Sequence, residues 1–163
     1  MKRLLITLLT LATVAMVTYA CNSNDTTQQS ATKKQAKAAN EKSEAEVITM
    51  DKALFLKQVF NYEKEQTWKY LGTKPAIIDL YADWCGPCRM VAPIMKELAK
   101  EYAGKIVIYK VNVDQEQELA ELFNATSIPL FVFIPMNKEP LLFRGAADKA
   151  TYQKAIEDFL LKQ

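Results

Sequence analysis

Residues Ala76 to Ala82 form an apolar run, broken only by Asp79, that leads through Trp84-Cys85-Gly86-Pro87-Cys88 directly into helical spacing. A run of this length and continuity suits a central strand covered on both faces. From Pro87 to Ala103 the residues Met90, Val91, Ile94, Met95, Leu98 and Tyr102 recur at intervals of three and four, which predicts a helix packed on that strand. Ile106 to Val113 alternates Val107, Tyr109, Val111 and Val113 as a second strand, and Gln115 to Phe123 reads as a short helix. Strands that alternate with helices need right-handed crossovers and pair in parallel, so the class is α/β.

The flanks extend this unit at both ends. Val47-Ile48-Thr49 predicts a short first strand, and Asp51 to Phe60 a helix carrying Leu54, Phe55, Leu56, Val59 and Phe60. Asn61 to Lys74 places Trp68, Tyr70 and Leu71 among charges and reads as a helical turn plus loop. After Pro129 the pattern changes. Leu130 to Ile134, a turn near Pro135-Met136-Asn137-Lys138, and Pro140 to Phe143 predict a hairpin feeding a last helix, Asp148 to Leu161. Pro93 inside the second helix removes one backbone hydrogen bond and predicts a bend there.

Two thiols at i and i+3, at a strand-to-helix turn, form a switchable dithiol/disulfide pair. Cys85 lies at the helix N-terminus, where unpaired N–H groups and the positive end of the helix dipole favour thiolate, so it is the candidate nucleophile. Cys88, one turn inward, is placed to attack a mixed disulfide on Cys85 and so to resolve it. Metal binding is the competing use of such spacing, but a structural site wants about four ligands. The chain has no histidine and one further cysteine, Cys21, which leaves a closed site within one chain short of ligands. A purely structural disulfide is the other competitor, and so short a loop removes little unfolded-state entropy. The absence of histidine also removes Ser-His-Asp and Cys-His hydrolase schemes.

The segment Tyr81-Ala82-Asp83-Trp84-Cys85-Gly86-Pro87-Cys88-Arg89-Met90-Val91-Ala92-Pro93 resembles the active-site segment of the thioredoxin family. The likeness runs from about Pro75 to the C-terminus and is weaker over 46–74. Asp79, Pro93, Lys110 and Ile128-Pro129 match the family's pattern in order. The resemblance implies a thioredoxin fold, a mixed sheet built β-α-β-α-β and then β-β-α with flanking helices. It also implies thiol–disulfide oxidoreductase activity on protein disulfides, without a bound cofactor. Gly86-Pro87 resembles the reducing members; an oxidase or isomerase using the same dithiol is an alternative, and a non-catalytic client-binding lipoprotein on this fold is another.

The resemblance extends to individual positions. It places Asp79 behind Cys88, where a carboxyl in an apolar strand has its pKa raised and can take the thiol proton through water. The residues alone equally permit an acid satisfied by local hydrogen bonds or by Lys110. Lys110 matches the family's charge near that acid, or is a solvent lysine at a strand edge. Ile128-Pro129 matches the loop whose cis proline frees backbone groups to pair with an extended substrate; an ordinary trans proline is the alternative. Leu130 departs from the threonine common there. Trp84, Gly86, Pro87 and Gly145 fit the family's substrate-contact surface, although Trp84 also reads as part of the core and Gly145 as a backbone requirement.

The N-terminus supplies an address. Met1-Lys2-Arg3 precedes fourteen uncharged residues, Leu4 to Val17, and Thr18-Tyr19-Ala20 ends in a small residue before Cys21. Residues 1–20 thus read as a secretory signal peptide, too short in its apolar run to span a membrane. The position of Cys21 resembles that of the lipidated cysteine of a bacterial lipoprotein, with Thr18 as a departure; a plain signal peptide leaving a free thiol is the alternative. Lipidation accounts for the odd cysteine and leaves Cys85 and Cys88 as an even pair in an oxidising compartment. Residues 21–46 are polar, without an aromatic side chain, and read as a tether reaching about 25–30 Å. Residues 47–163 make one domain.

The expected location is the periplasmic side of a bacterial membrane, lipid-anchored, or else soluble in the periplasm. Removing residues 1–20 takes Lys2 and Arg3 and no acid, so 19 basic and 19 acidic residues remain. A neutral chain is a poor nucleic-acid partner. The expected partners are protein disulfides, a membrane-linked thiol donor that restores the dithiol, and the membrane itself through Cys21. A monomer is expected.

Overall fold

The computed structural model describes residues 46–162, so the expected signal peptide, Cys21 and nearly all of the tether lie outside the described residues. The strands are β1 (Ile48–Thr49), β2 (Ala76–Tyr81), β3 (Val107–Asn112), β4 (Leu130–Ile134) and β5 (Leu141–Arg144). The helices are α1 (Lys52–Gln58), α2 (Gly86–Glu101), α3 (Gln117–Leu122) and α4 (Lys149–Ala155), the last running on as a π-helical stretch over Ile156–Leu161. One sheet orders its strands β1-β3-β2-β4-β5. β1 and β2 pair parallel with β3, whereas β4 pairs antiparallel with both β2 and β5. In chain order this is β-α-β-α-β, then α3, then β-β-α, which agrees with the order that the resemblance implies.

Successive strand residues point to opposite faces, and this alternation sorts the core into two layers. Ala76, Ile78 and Leu80 of β2 join Tyr109, Val111, Leu130 and Val132 beneath Phe55 of α1 and Leu119 of α3. Ile77 of β2 joins Ile108, Phe131 and Phe133 on the other face, against Val91, Met95 and Leu98 of α2 and Tyr152 of α4. The same alternation turns Asp79 and Lys110 toward the α2 face. The parallel register of β2 and β3 sets them side by side.

Several boundaries differ from the sequence expectation for local reasons. α1 is capped by Asp51, whose carboxylate accepts the Leu54 N–H at 2.8 Å, and it stops at Gln58 rather than Phe60. Val59 and Phe60 are buried in the core, and the Val59 carbonyl accepts the Leu71 N–H at 2.9 Å. Asn61 to Lys74 holds the expected single turn, in which the Asn61 carbonyl accepts the Glu65 N–H at 2.9 Å, and then loop. Its aromatic residues anchor that loop: Trp68 packs on Phe60 with ring centroids 4.9 Å apart, and the Tyr70 hydroxyl donates to the Lys74 carbonyl. β5 begins at Leu141, one residue after Pro140, which has no N–H to offer a ladder. α2 passes through Pro93 without interruption.

Candidate active site

Both cysteines sit where β2 hands over to α2. Cys85 is the N-cap of α2, with an extended backbone and its Sγ accepting the Cys88 N–H at 3.2 Å. Pro87 occupies the first turn, where its missing N–H costs no helix bond. The two sulfurs form a disulfide across a Cα–Cα distance of 5.3 Å. Residue exposure does not separate them, at 4% for Cys85 and 3% for Cys88. Their surroundings do: Cys85 caps the helix, whereas Cys88 lines a cavity of about 440 Å³ together with Asp79, Lys110, Met95 and Tyr81.

Asp79 is 5% exposed, and its Oδ1 has no hydrogen-bond partner within the protein. Burial pushes its pKa up to about 7, and the positive charge of Lys110 pulls the other way. The Lys110 ammonium lies 5.6 Å from the centroid of the Tyr81 ring, so it is held over an aromatic face at the cavity rather than at a strand edge in solvent. An acid with this pKa exchanges its proton near neutrality, in the cavity that Cys88 also lines. Among the described residues no group of three or more His, Cys, Asp or Glu gathers as a metal site.

The remaining site residues come from other elements. The Ile128–Pro129 peptide bond is cis, and Ile128 packs against the cluster of Ala82, Cys85 and Cys88. Gly145, at a φ of 90°, donates its N–H to the Pro129 carbonyl at 2.9 Å, so the residue after β5 ties down the proline loop. A left-handed conformation there suits glycine. Trp84 is 68% exposed, which removes it from the core and leaves a flat apolar face beside the disulfide. Gly86 has room for a side chain, since an added Cβ meets only the Arg89 guanidinium at 4.0 Å. Cys85, Cys88, Trp84, Gly86, Pro87, Ile128 and Pro129 thus gather at one end of the sheet, with Asp79 and Lys110 beneath them and Gly145 bonded to the proline loop.

Four neighbours, Asp83, Arg89, Asn112 and Asp114, are not singled out by the sequence. The Trp84 indole N–H donates to Asp114 at 2.9 Å, the Arg89 guanidinium donates to the Asp83 carbonyl at 2.9 Å, and Asn112 lies between Asp83 and Asp114. The available signal is position: Asn112 and Asp114 stand at the carboxyl end of a parallel strand next to the one that delivers the dithiol, where open α/β sheets place their sites.

A family model described as Thioredoxin matches residues 46–158. The chain is 38% identical to the thioredoxin of Borreliella burgdorferi over 112 residues, covering 69% of this chain and 96% of that relative. It is 42% identical to the chloroplastic M-type thioredoxin of Spinacia oleracea, over 59% of this chain and 55% of that protein, and so spans about half its length. Among solved structures, a point-mutant thioredoxin from Halobacterium salinarum superposes with a TM-score of 0.58 at 24% identity, over 72% of this chain and 93% of that one. Chloroplastic thioredoxin z superposes with the same TM-score at 22% identity, over 69% of this chain and 93% of its own.

Proposed function

Since the chain belongs to the thioredoxin family, and with it to the thiol–disulfide oxidoreductases, we propose that it reduces protein disulfides outside the cytoplasm from a lipid anchor at Cys21. Residues 1–20 act as the lipoprotein signal peptide, and residues 21–46 hold the domain off the membrane. A Cys85 thiolate attacks one sulfur of a substrate disulfide and expels the other as thiolate. Cys88, its proton passed to Asp79, then attacks the Cys85 sulfur and releases the second substrate thiol. Two electrons move from the dithiol to the substrate, and the product is the Cys85–Cys88 disulfide. A membrane-linked thiol donor returns it to the dithiol.

The observation that supports the exchange chemistry is the bonded pair itself: Cys85 as helix cap, and Cys88 sharing a cavity with a buried carboxyl whose pKa is about 7; the address and the anchor rest on residues 1–21 of the sequence. Trp84, Gly86 and Pro87 present the rim to the client, and the Ile128-Pro129 loop supports pairing with an extended client backbone. Direction is tested by potential. The expected result is a midpoint nearer the about −270 mV of thioredoxin than the about −120 mV of a strong disulfide oxidant, together with reduction of insulin. A midpoint near the oxidising value with no insulin reduction overturns the reductase assignment.

The anchor is tested separately. Wild-type protein is expected in the membrane fraction, and Cys21→Ser in the soluble fraction. Wild-type protein found soluble removes the tether from the reading.

A further inference from the structure

Aromatic residues aside, the buried polar side chains among the described residues are Asp79 and Asn112. Asp79 lines the cavity behind Cys88, whereas Asn112, 6% exposed, is not part of that lining. It is the last residue of β3, in register with Tyr81 at the end of β2. Beyond that pair the Val113 N–H still reaches the Tyr81 carbonyl at 2.9 Å, and then the two chains part. One continues as Ala82-Asp83-Trp84 into the dithiol, and the other as Val113-Asp114.

The Asn112 amide spans this gap. Its Oδ1 accepts the Asp114 N–H at 3.0 Å, which commits Nδ2 to donation, and Nδ2 donates to the Asp83 carboxylate at 3.3 Å. Asp114 in turn accepts the Trp84 indole N–H at 2.9 Å. One buried amide therefore holds the residue that precedes Trp84 and the residue that hydrogen-bonds its ring. A neutral amide is suited to this place. It pairs with one carboxylate and one backbone donor without adding a charge between two acids.

We propose that Asn112 is a positioning residue for substrate capture: through Asp114 and Asp83 it sets the Trp84 ring at the lip of the dithiol. The inference rests on Trp84 being part of the client-contact surface. Asn112 touches neither sulfur, so it acts on how the client is held rather than on thiol exchange. A contact made equally to bound client and transition state changes KM and spares kcat.

The test uses insulin reduction with excess dithiothreitol as donor, together with proton NMR of the indole N–H signals. The chain contains two tryptophans, and Trp84→Ala assigns which signal belongs to Trp84. Asn112→Ala and Asp114→Ala are each expected to raise KM about 3- to 10-fold, the range one lost hydrogen bond supports, with kcat retained. Both are expected to move the Trp84 indole signal. The double variant is expected to be no worse than the more affected single variant, because both act along one route. If Asn112→Ala does not fold, Asn112→Ser carries the same expectations.

An unchanged KM and an unmoved indole signal in the Asn112 variant, with a raised KM in Trp84→Ala, overturn the proposal and leave the client surface standing. A loss of activity carried by kcat with the indole signal unmoved also overturns it. An unchanged KM in Trp84→Ala overturns both the proposal and the reading of Trp84 beneath it.

Discussion

Cys85→Ser is expected to lose insulin reduction on the order of 10³-fold or more, to background, while the domain keeps its fold. Serine is among the best helix N-caps, so its hydroxyl takes over the Cys88 N–H that Cys85 Sγ accepts at 3.2 Å. The variant loses the disulfide as well, but the bridge spans a sequence separation of 3, and loop-closure entropy for so short a ring is worth only about 2 kcal/mol. The scaffold is thus preserved and the attacking thiol is gone. A serine hydroxyl at this position has no base placed to ionise it. Client handling that survives the substitution at full rate contradicts nucleophilic exchange and favours a binding module that uses the same surface without turnover.

Asp79→Asn is expected to change both stability and rate, in opposite senses. The Asp79 carboxyl titrates near 3.8 in the unfolded chain and at about 7 in the folded protein. Between those values the folded state holds a proton that the unfolded state has released, so raising the pH favours unfolding. Wild-type stability is therefore expected to fall between about pH 4 and pH 7 by on the order of 4 kcal/mol relative to Asp79→Asn, whose neutral amide does not titrate. Below about pH 4 the two differ only by an amide in place of a protonated acid. Urea melts across the range check the difference, and parallel curves for the two proteins contradict it.

The same substitution is expected to slow resolution of the mixed disulfide about 10- to 10²-fold near pH 7, because Cys88 loses the group placed to take its proton. Stopped-flow measurement of product release reads that step. The more stable protein at high pH is then the slower one. Such an exchange marks a buried group retained for its chemistry, since an unpartnered carboxyl in an apolar strand otherwise only costs stability.

The central β2-α2-β3 unit is legible in the sequence because its signals are local and strong: Ala76 to Ala82 is nearly continuous in apolar residues, and Met90 to Tyr102 keeps helical spacing. The dithiol is legible for the same reason, lying within one turn of chain. Asp79 stands out as a lone carboxyl in that strand, but its cavity does not, because the walls come from α2, β2, β3 and residues 46–47 together.

What the sequence withholds is mostly long-range polar geometry. Asn112 reaches Asp83 across 29 residues and Trp84 reaches Asp114 across 30, and no periodicity registers hydrogen bonds of that kind. The exposure of Trp84 stays open in sequence for the same reason, as its ring follows an acceptor on another loop. The π-helical stretch at Ile156–Leu161 likewise escapes a pattern of threes and fours. The helical turn expected in 61–74 is a single one, closed by the Glu65 N–H on the Asn61 carbonyl, and the loop after it is held by Trp68 on Phe60 and by Tyr70 on the Lys74 carbonyl. Residues 1–45 carry the expected address and anchor, and their reading rests on composition and the placement of Cys21.

The order of attack is read most directly by trapping. The Cys88→Ser variant, reduced and mixed with a disulfide client, is digested without reductant and its cross-linked peptides are mapped by mass. A stable mixed disulfide between the client and Cys85 is the expected product, since capture proceeds and release cannot. Absence of any adduct at Cys85, together with a stable client adduct at Cys88 in the Cys85→Ser variant, would contradict a captor at the helix cap and a releasing thiol behind it.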